Sequence, residues 1–427
     1  MSAVLLMCIR ENYADTGLRP WKVVIGCFFL TVPTYGLLSA IRLFQTYWHG
    51  GMLADHLESD VAWIISMFGF LDCLFAAPAG ILFDRHGARW LLPLGCVVYI
   101  AAFIGLAFSR TYAQIMGCVV VAGSSAVAFI VVSQWFTVRK GLATGCVSLG
   151  APLGGIFFPL VLKALFDNYP WRTAALALTA ILTGSLVLGN LLVETNVQAV
   201  APCQQRTSEE AASADPPSPT MHTTPAPARL PPAQISHMLR SPKFWLVSYA
   251  IFRITAYELV LFIQWGSIPS YAVAANFEDH QFYLMMSYNI GAVIGRTVPL
   301  WLSDRLLGPI NTTIVMNLFT LLGLAIAALF IVVQLMGIGT GSFVPLGVSC
   351  INALCCPEHM GTWLGSAYSL VSISTLIGNP ASAAILARYA TKALLAFLAA
   401  VLFSGMISAA MVRWLFHGRR WVLKARV

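Results

Sequence analysis

The chain has 427 residues and a formal net charge of +8; 58% of its residues are hydrophobic and only 10% charged, against roughly 25% charged in a soluble domain. So little charge cannot cover a soluble body of this size, and a soluble enzyme of one or two domains is excluded. A spanning helix needs about 20 apolar residues, so twelve would use a little over half the chain. A polytopic membrane protein is expected, with the lipid bilayer as its solvent.

In chain order, a tail at 1–20 carries Arg10, Glu11 and Asp15. The apolar stretch 3–9 is brief for a signal-peptide core and precedes no cleavage-like site, so insertion is expected to begin with the first helix. Apolar runs of spanning length follow at 21–43, 61–83, 90–107, 112–135, 143–165 and 171–193. They resume at 244–264, 281–302, 310–328, 332–355, 363–387 and 393–415. Between the two sets, residues 201–232 hold eight prolines in 32 positions and cannot bury apolar surface. The expected division is a tail at 1–20, a six-helix bundle at 21–193, a disordered linker at 194–240, a second bundle at 241–415 and a basic tail at 416–427.

The halves repeat each other. Asp84-Arg85 closes the second run and Asp304-Arg305 the eighth, 220 residues later; Gly141 and Gly145 open the fifth and Gly361 and Gly365 the eleventh, again 220 apart. Two landmarks sharing one offset predict an all-α membrane protein of twelve transmembrane helices in two parallel six-helix repeats. With both tails and the linker cytoplasmic, 17 of the 25 Lys and Arg residues lie inside and five in outer loops. That bias sets the orientation and explains the basic charge without any nucleic-acid partner.

Three arginines, Arg42, Arg253 and Arg296, fall within or at the edge of apolar runs, as do Asp72 and Glu258. Each charge costs about 2.5–3.5 kcal/mol at a helix centre, so each needs a partner or an aqueous cavity. Arg253 and Glu258, five apart, point about 140° from each other and are no i,i+4 pair. For Asp72 a structural ion pair and a titrating, proton-coupling role stand equally, and Glu258 is a second coupling candidate. Arg42 either lines the cavity or snorkels outward. Tyr35 and Asn289 are polar candidates for the cavity wall, alongside Gln134, Trp135, Tyr257, Gln264 and Asn352. No P-loop, metal-ligand cluster or nucleophile–base arrangement occurs, so neither an enzyme nor a cofactor is expected. The ten cysteines lie mostly in apolar runs and form no disulfide framework.

The segment Gly80-Ile-Leu-Phe-Asp84-Arg85-His-Gly87-Ala-Arg89 resembles the signature loop of the major facilitator superfamily, with Ala88 in place of the usual basic residue. The resemblance implies a conformational latch made of Gly80, Asp84, Arg85 and Gly87, with Asp304 and Arg305 as its counterpart. Asp15-Thr-Gly17…Trp21, and Phe136-Thr-Val-Arg139-Lys140-Gly141-Leu-Ala-Thr-Gly145 followed by Gly150, Gly154 and Gly155, resemble the monocarboxylate porter family, particularly its fungal branch. Gly141, Gly145, Gly150, Gly154, Gly361 and Gly365 read as helix-packing positions that let helices slide at backbone distance. The resemblance places the first, fourth, seventh and tenth helices around the cavity. It implies an organic-anion substrate met by Arg253, Arg296, Arg42, Glu258, Tyr35 and Asn289. Animal members carry an aspartate four residues before the eighth-helix arginine and a first-helix lysine; Ala292 and Ser39 stand there in this chain. Their absence directs the expectation to export or exchange of an organic acid or secondary metabolite at the plasma membrane. Proton-coupled uptake of a monocarboxylate or vitamin is the alternative within transport, and a non-transporting metabolite receptor the alternative of another class.

Overall fold

The computed structural model describes residues 17–123 (without 39, 41, 42, 45, 46, 49 and 57), 136, 139–194, 242, 244–249, 251, 281–325, 329–354, 359–388 and 391–416. Residues 1–16, 195–240 and 417–427, which make up most of the tails and the linker, and the candidates Arg42, Gln134, Trp135, Arg253, Tyr257, Glu258 and Gln264 lie outside them.

In the first half, α1 (Leu18–Thr31) runs on through a wide π turn at Val32–Gly36. It is followed by α2 (Glu58–His86), α3 (Ala88–Phe108), α4 (Tyr112–Gly123), α5 (Lys140–Ser148), α6 (Gly150–Asn168) and α7 (Trp171–Leu192). In the second half come α8 (Gln281–Leu302, then a π turn at Ser303–Leu307), α9 (Pro309–Ala325), α10 (Leu329–Gly341), α11 (Phe343–Asn352), α12 (Met360–Arg388) and α13 (Thr391–Phe416). α5 with α6, and α10 with α11, are each one passage interrupted by a single residue, Leu149 and Ser342. Each described helix falls on an expected apolar run, and residues 244–249 are helical in the seventh. The second helix is longer than its apolar run, extending to His86, because polar residues continue the helix beyond the hydrocarbon.

Trp90, Leu94, Val97 and Leu191 stand outward with more than half of their surface exposed, as lipid-facing side chains do. Five described helical stretches are long and apolar enough to cross a bilayer: Ser66–His86, Arg89–Phe108, Lys140–Asn168, Trp171–Leu192 and Gln334–Asn352. Within the first half α7 packs on α1 and α3, and α4 on α2 and α3; within the second α8 packs on α10, and α9 on α13. Among the described residues two seams join the halves, α2 against α12, and α5 with α6 against α8 and α11.

Glycine makes these seams possible at five positions, the first being Gly80, where a methyl group would strike the Gly361 carbonyl. A methyl group at Gly145 would strike the Arg296 carbonyl, and one at Gly365 the Ala76 carbonyl. Residues 76 and 296 are also 220 apart, so one contact occurs twice. Gly141 and Gly361 meet the Asp304 and Asp84 carboxylates in the same manner. Gly150 and Gly154, five and nine residues beyond Gly145, face inward instead, against Thr31 and Gly36 of their own half. The packing glycines therefore divide into two kinds.

Gly145→Ala or Gly365→Ala should part the seams, read as a loss of folded yield or as faster backbone exchange at 140–148 or 360–368. Gly117→Ala and Gly184→Ala, with nothing within 4 Å of an added methyl, should be neutral or stabilise by about 0.5–1 kcal/mol through helix propensity. Equal behaviour of the two pairs would refute the assignment.

Candidate functional site

Asp72 lies at the midpoint of α2. Tyr35, in the π turn of the first passage, donates its hydroxyl to Asp72 Oδ2 at 3.2 Å. Pro33 opens that turn, and its carbonyl accepts the Tyr99 hydroxyl of α3 at 2.7 Å. Three helices of the first half thus meet around one carboxyl group. From this pair the α2–α12 seam runs to one end of the bundle. Along α2 it extends from Cys73, whose carbonyl takes a Ser369 hydroxyl bond, to Asp84. Those eleven steps along the helix span about 17 Å at 1.5 Å each, just over half of a hydrocarbon core of about 30 Å. The Tyr35–Asp72 pair therefore adjoins the end of these contacts farther from Asp84.

At the outer limit the two aspartates reach across. Asp84 Oδ1 accepts the Gly361 N–H at 2.9 Å, and Oδ2 accepts the Thr362 N–H and hydroxyl, each at 2.7 Å. Asp304 Oδ1 accepts the Gly141 N–H at 2.9 Å, and Oδ2 the Leu142 N–H at 2.8 Å. Each carboxylate caps the N-terminus of a helix in the opposite half, where orphan N–H groups and the helix dipole favour an anion. Thr362 gives Asp84 a hydroxyl bond that Leu142, its counterpart, has no group to supply. Gly87 and Gly308 turn the chain after each aspartate at φ 72° and 80°, a left-handed geometry suited to glycine. Gly308 falls 221 residues after Gly87 rather than 220, because the π turn at Ser303–Leu307 absorbs one extra residue. Arg85 is exposed, and Arg305 lies over the Trp301 ring at 4.8 Å.

Arg296 lies in the other seam. Its Nη1 donates to the Ser148 carbonyl at 2.6 Å and its Nε to the Gly341 carbonyl at 3.0 Å. These are the last residues of α5 and α10. In a continuous helix their carbonyls would accept from residues 152 and 345, and both are proline. Proline has no N–H, so both carbonyls are orphaned, and one guanidinium serves both. Helix C-termini carry partial negative charge, which favours a cation there. Four residues earlier, Ala292 is buried with its backbone close to Gly337 and Gly341. That contact leaves no room for an acid at 292. Asn289 is buried two turns from Arg296 on the same face of α8. Outside the seams, the Lys22 ammonium at 3.0 Å holds the exposed Glu194 carboxyl below its usual range.

The structure thus joins Tyr35 to Asp72, Asp84 to Gly361, and Asp304 to Gly141. It puts Arg296 between the halves and leaves Arg85 and Arg305 away from the caps. The pairing across halves was within reach of the sequence, since each glycine opens a helix and shares the aspartates' offset. Thr362, Ser148, Gly341 and Gly308 carried no signal by residue type. Only the prolines four places on marked the two carbonyls.

Asp304→Asn should expose the Gly141 and Leu142 amides, and Asp84→Asn those of Gly361 and Thr362. A lost charged hydrogen bond is worth about 1.5–3 kcal/mol, so exchange should rise at least about tenfold in the affected peptide only. Unchanged exchange would remove the caps. Arg296→Met should cost about 1–3 kcal/mol for each orphaned carbonyl, read as thermal stability, and Pro152→Ala in the same chain should restore part by returning an N–H to Ser148. No rescue would mean that Arg296 does not act through that carbonyl.

The sequence matches the Major Facilitator Superfamily over residues 23–334. It is 28% identical to MFS-type transporter hasB of Aspergillus fumigatus, covering 96% of this chain and 92% of that protein. It is 26% identical to the fujikurins efflux protein of Gibberella fujikuroi, over 88% and 78%. Among solved structures, the human organic anion transporter MFSD10 superposes with a TM-score of 0.65 at 14% identity, covering 91% of this chain and 98% of that one. The Escherichia coli transporter FucP in its outward conformation superposes with a TM-score of 0.63 at 16% identity, over 92% and 98%. With the repeated helices, the doubled seam and the match over most of its length, this chain belongs to the Major Facilitator Superfamily.

Proposed function

We propose that the chain is a secondary transporter that exports or exchanges a small organic metabolite by alternating access. The observation that carries this reading is the doubled cap: two carboxylates close one end of the bundle with contacts that hold no ligand and can open together. Opening that end must break the Asp84 and Asp304 bonds, the Arg296–Ser148 bond and the Ser369 bond to the Leu74 carbonyl. In this reading Gly80, Asp84, Arg85, Gly87, Asp304 and Arg305 belong to the latch, and Tyr35 and Asp72 line the midplane site. Arg296, released from Ser148 as α5 and α8 part, turns its charge toward the cavity.

The finer reading follows the sequence. The motifs at 15–21 and 136–155 support the fungal branch of the monocarboxylate porters. An organic anion then meets Arg253 on the seventh passage, and Glu258 or Asp72 is the group that exchanges protons. The efflux name of one relative and the organic-anion name of one structural neighbour favour export of an anionic metabolite. The bias of Lys and Arg makes the Asp84 end cytoplasmic, with both tails and the 194–240 linker on that side of the plasma membrane.

Proteoliposomes test this reading. A compound that raises the chain's melting temperature should also show counterflow. Asp84→Asn should slow that exchange about tenfold, equivalent to about 1.4 kcal/mol, while leaving equilibrium affinity unchanged. Binding without counterflow in the wild type would overturn the transport reading; loss of binding in the variant would overturn the latch.

A further inference from the structure

α8 meets protein on two sides. Gly291 and Gly295 lie against the Gln334 and Ile338 carbonyls of α10, and the Arg296 backbone and Leu300 side chain lie against Gly145 of α5. What those contacts leave is a stripe of exposed apolar side chains, Met286, Ile290, Ile294, Val298 and Trp301, at the three- and four-residue spacing of one helix face. From Met286 to Trp301 it is about 22 Å long at 1.5 Å per residue, most of a hydrocarbon core of about 30 Å. It runs out at the end of the bundle where Asp84 and Asp304 cap the seams, so exposure there is to the surroundings and not to a cleft between the halves. At this end the Arg305 guanidinium lies over the Trp301 ring at 4.8 Å, and Leu306 beside it is exposed. Tryptophan closing an apolar stripe marks the boundary between hydrocarbon and headgroups, which puts the cation at headgroup level. A guanidinium stacked on a ring keeps its N–H fork at the rim, the geometry that takes two oxygens of a phosphate. Asp304, the residue before it, brings further positive charge. Its carboxylate accepts the Gly141 and Leu142 amides, which sets Arg139 and Lys140, next in the chain before them, at the same end of the seam. Arg139 is exposed there and Lys140 half-buried.

We propose that this corner, Arg305 on Trp301 with Arg139 and Lys140 across the seam, holds the phosphate of an acidic glycerophospholipid whose acyl chains lie along the α8 stripe. Each part of that description has its own ground. The stripe selects an acyl chain, the fork takes the phosphate, and the basic residues gathered from both halves favour a headgroup of net negative charge over a zwitterionic one. The site lies on the outer face of the bundle, apart from the Tyr35–Asp72 pair, and stands whether or not the transport reading holds.

Photoreactive lipids test it, with the full chain in phosphatidylcholine nanodiscs. The probes are phosphatidylserine and phosphatidylcholine, each carrying a diazirine on the acyl chain close to the glycerol and compared at equal mole fraction. The serine lipid should label peptides containing 298–307 about fivefold more than the choline lipid, the equivalent of about 1 kcal/mol. Arg305→Gln should abolish that excess while leaving labelling at 89–97, beside the exposed Arg89 and Trp90, unchanged. Arg305→Lys should keep only part of it, since an ammonium retains the charge and lacks the fork. Equal labelling of 298–307 by the two lipids would overturn the site, as expected of a bare lipid-facing surface. An excess that survives in a folded Arg305→Gln would overturn the role of Arg305. Suppression of the excess by millimolar glycerol 3-phosphate would overturn the lipid in favour of a soluble phosphate. The comparison of the two lipids needs no variant and decides the question alone if Arg305→Gln does not fold.

Discussion

Inside a hydrocarbon layer a backbone carbonyl without an N–H has no water to turn to, at a cost of several kcal/mol if left alone. This chain places prolines inside its spanning helices, and each removes a donor from the residue four positions earlier. The consequences can be followed one at a time. Pro33 orphans the Phe29 carbonyl, and Ser185 of α7 donates to it at 2.7 Å. Pro78 orphans Leu74, and Ser369 of α12 donates to it at 2.8 Å. Pro152 and Pro345 orphan Ser148 and Gly341, and Arg296 answers both. Two of these bonds lie within a single half, Ser185 to Phe29 in the first and Arg296 to Gly341 in the second. Two cross from one half to the other, so the seams exist partly because a broken helix must borrow a donor from its neighbour.

The caps follow the same logic at the opposite polarity. A helix begins with N–H groups that no residue of its own can satisfy, and here α5 and α12 receive a carboxylate from the other half. The glycines at 141 and 361 are required because a side chain there would occupy the position of the carboxylate oxygen. Arg296 meets the opposite ends, giving its guanidinium to the carbonyls that close α5 and α10. These contacts between side-chain charges and helix ends can be exposed and covered again without moving a proton.

Much of this was legible in the sequence. Apolar runs located the helices, and the shared offset of Asp84, Asp304, Gly141 and Gly361 displayed the repeat. What the sequence withheld was which helix answers which. A proline announces an orphaned carbonyl but not its donor, and Arg296 reads as a lone intramembrane charge until Ser148 and Gly341 are placed beside it. Gly308 escaped notice because a π turn shifted it by one residue.

The interruption of the fifth passage at Leu149 has a bearing on how an end of the molecule could hydrate. Ahead of it, Gly141 and Gly145 belong to the contact with the second half; beyond it, Gly150 and Gly154 belong to the first. When the halves separate, the amides at 141, 142, 361 and 362 and the carbonyl at 148 all lose their partners together, and water is the ready replacement. Separation is therefore a wetting event, and its equilibrium depends on water activity. Solutes excluded from the protein surface, which favour less hydrated states, hold the molecule in the form described here.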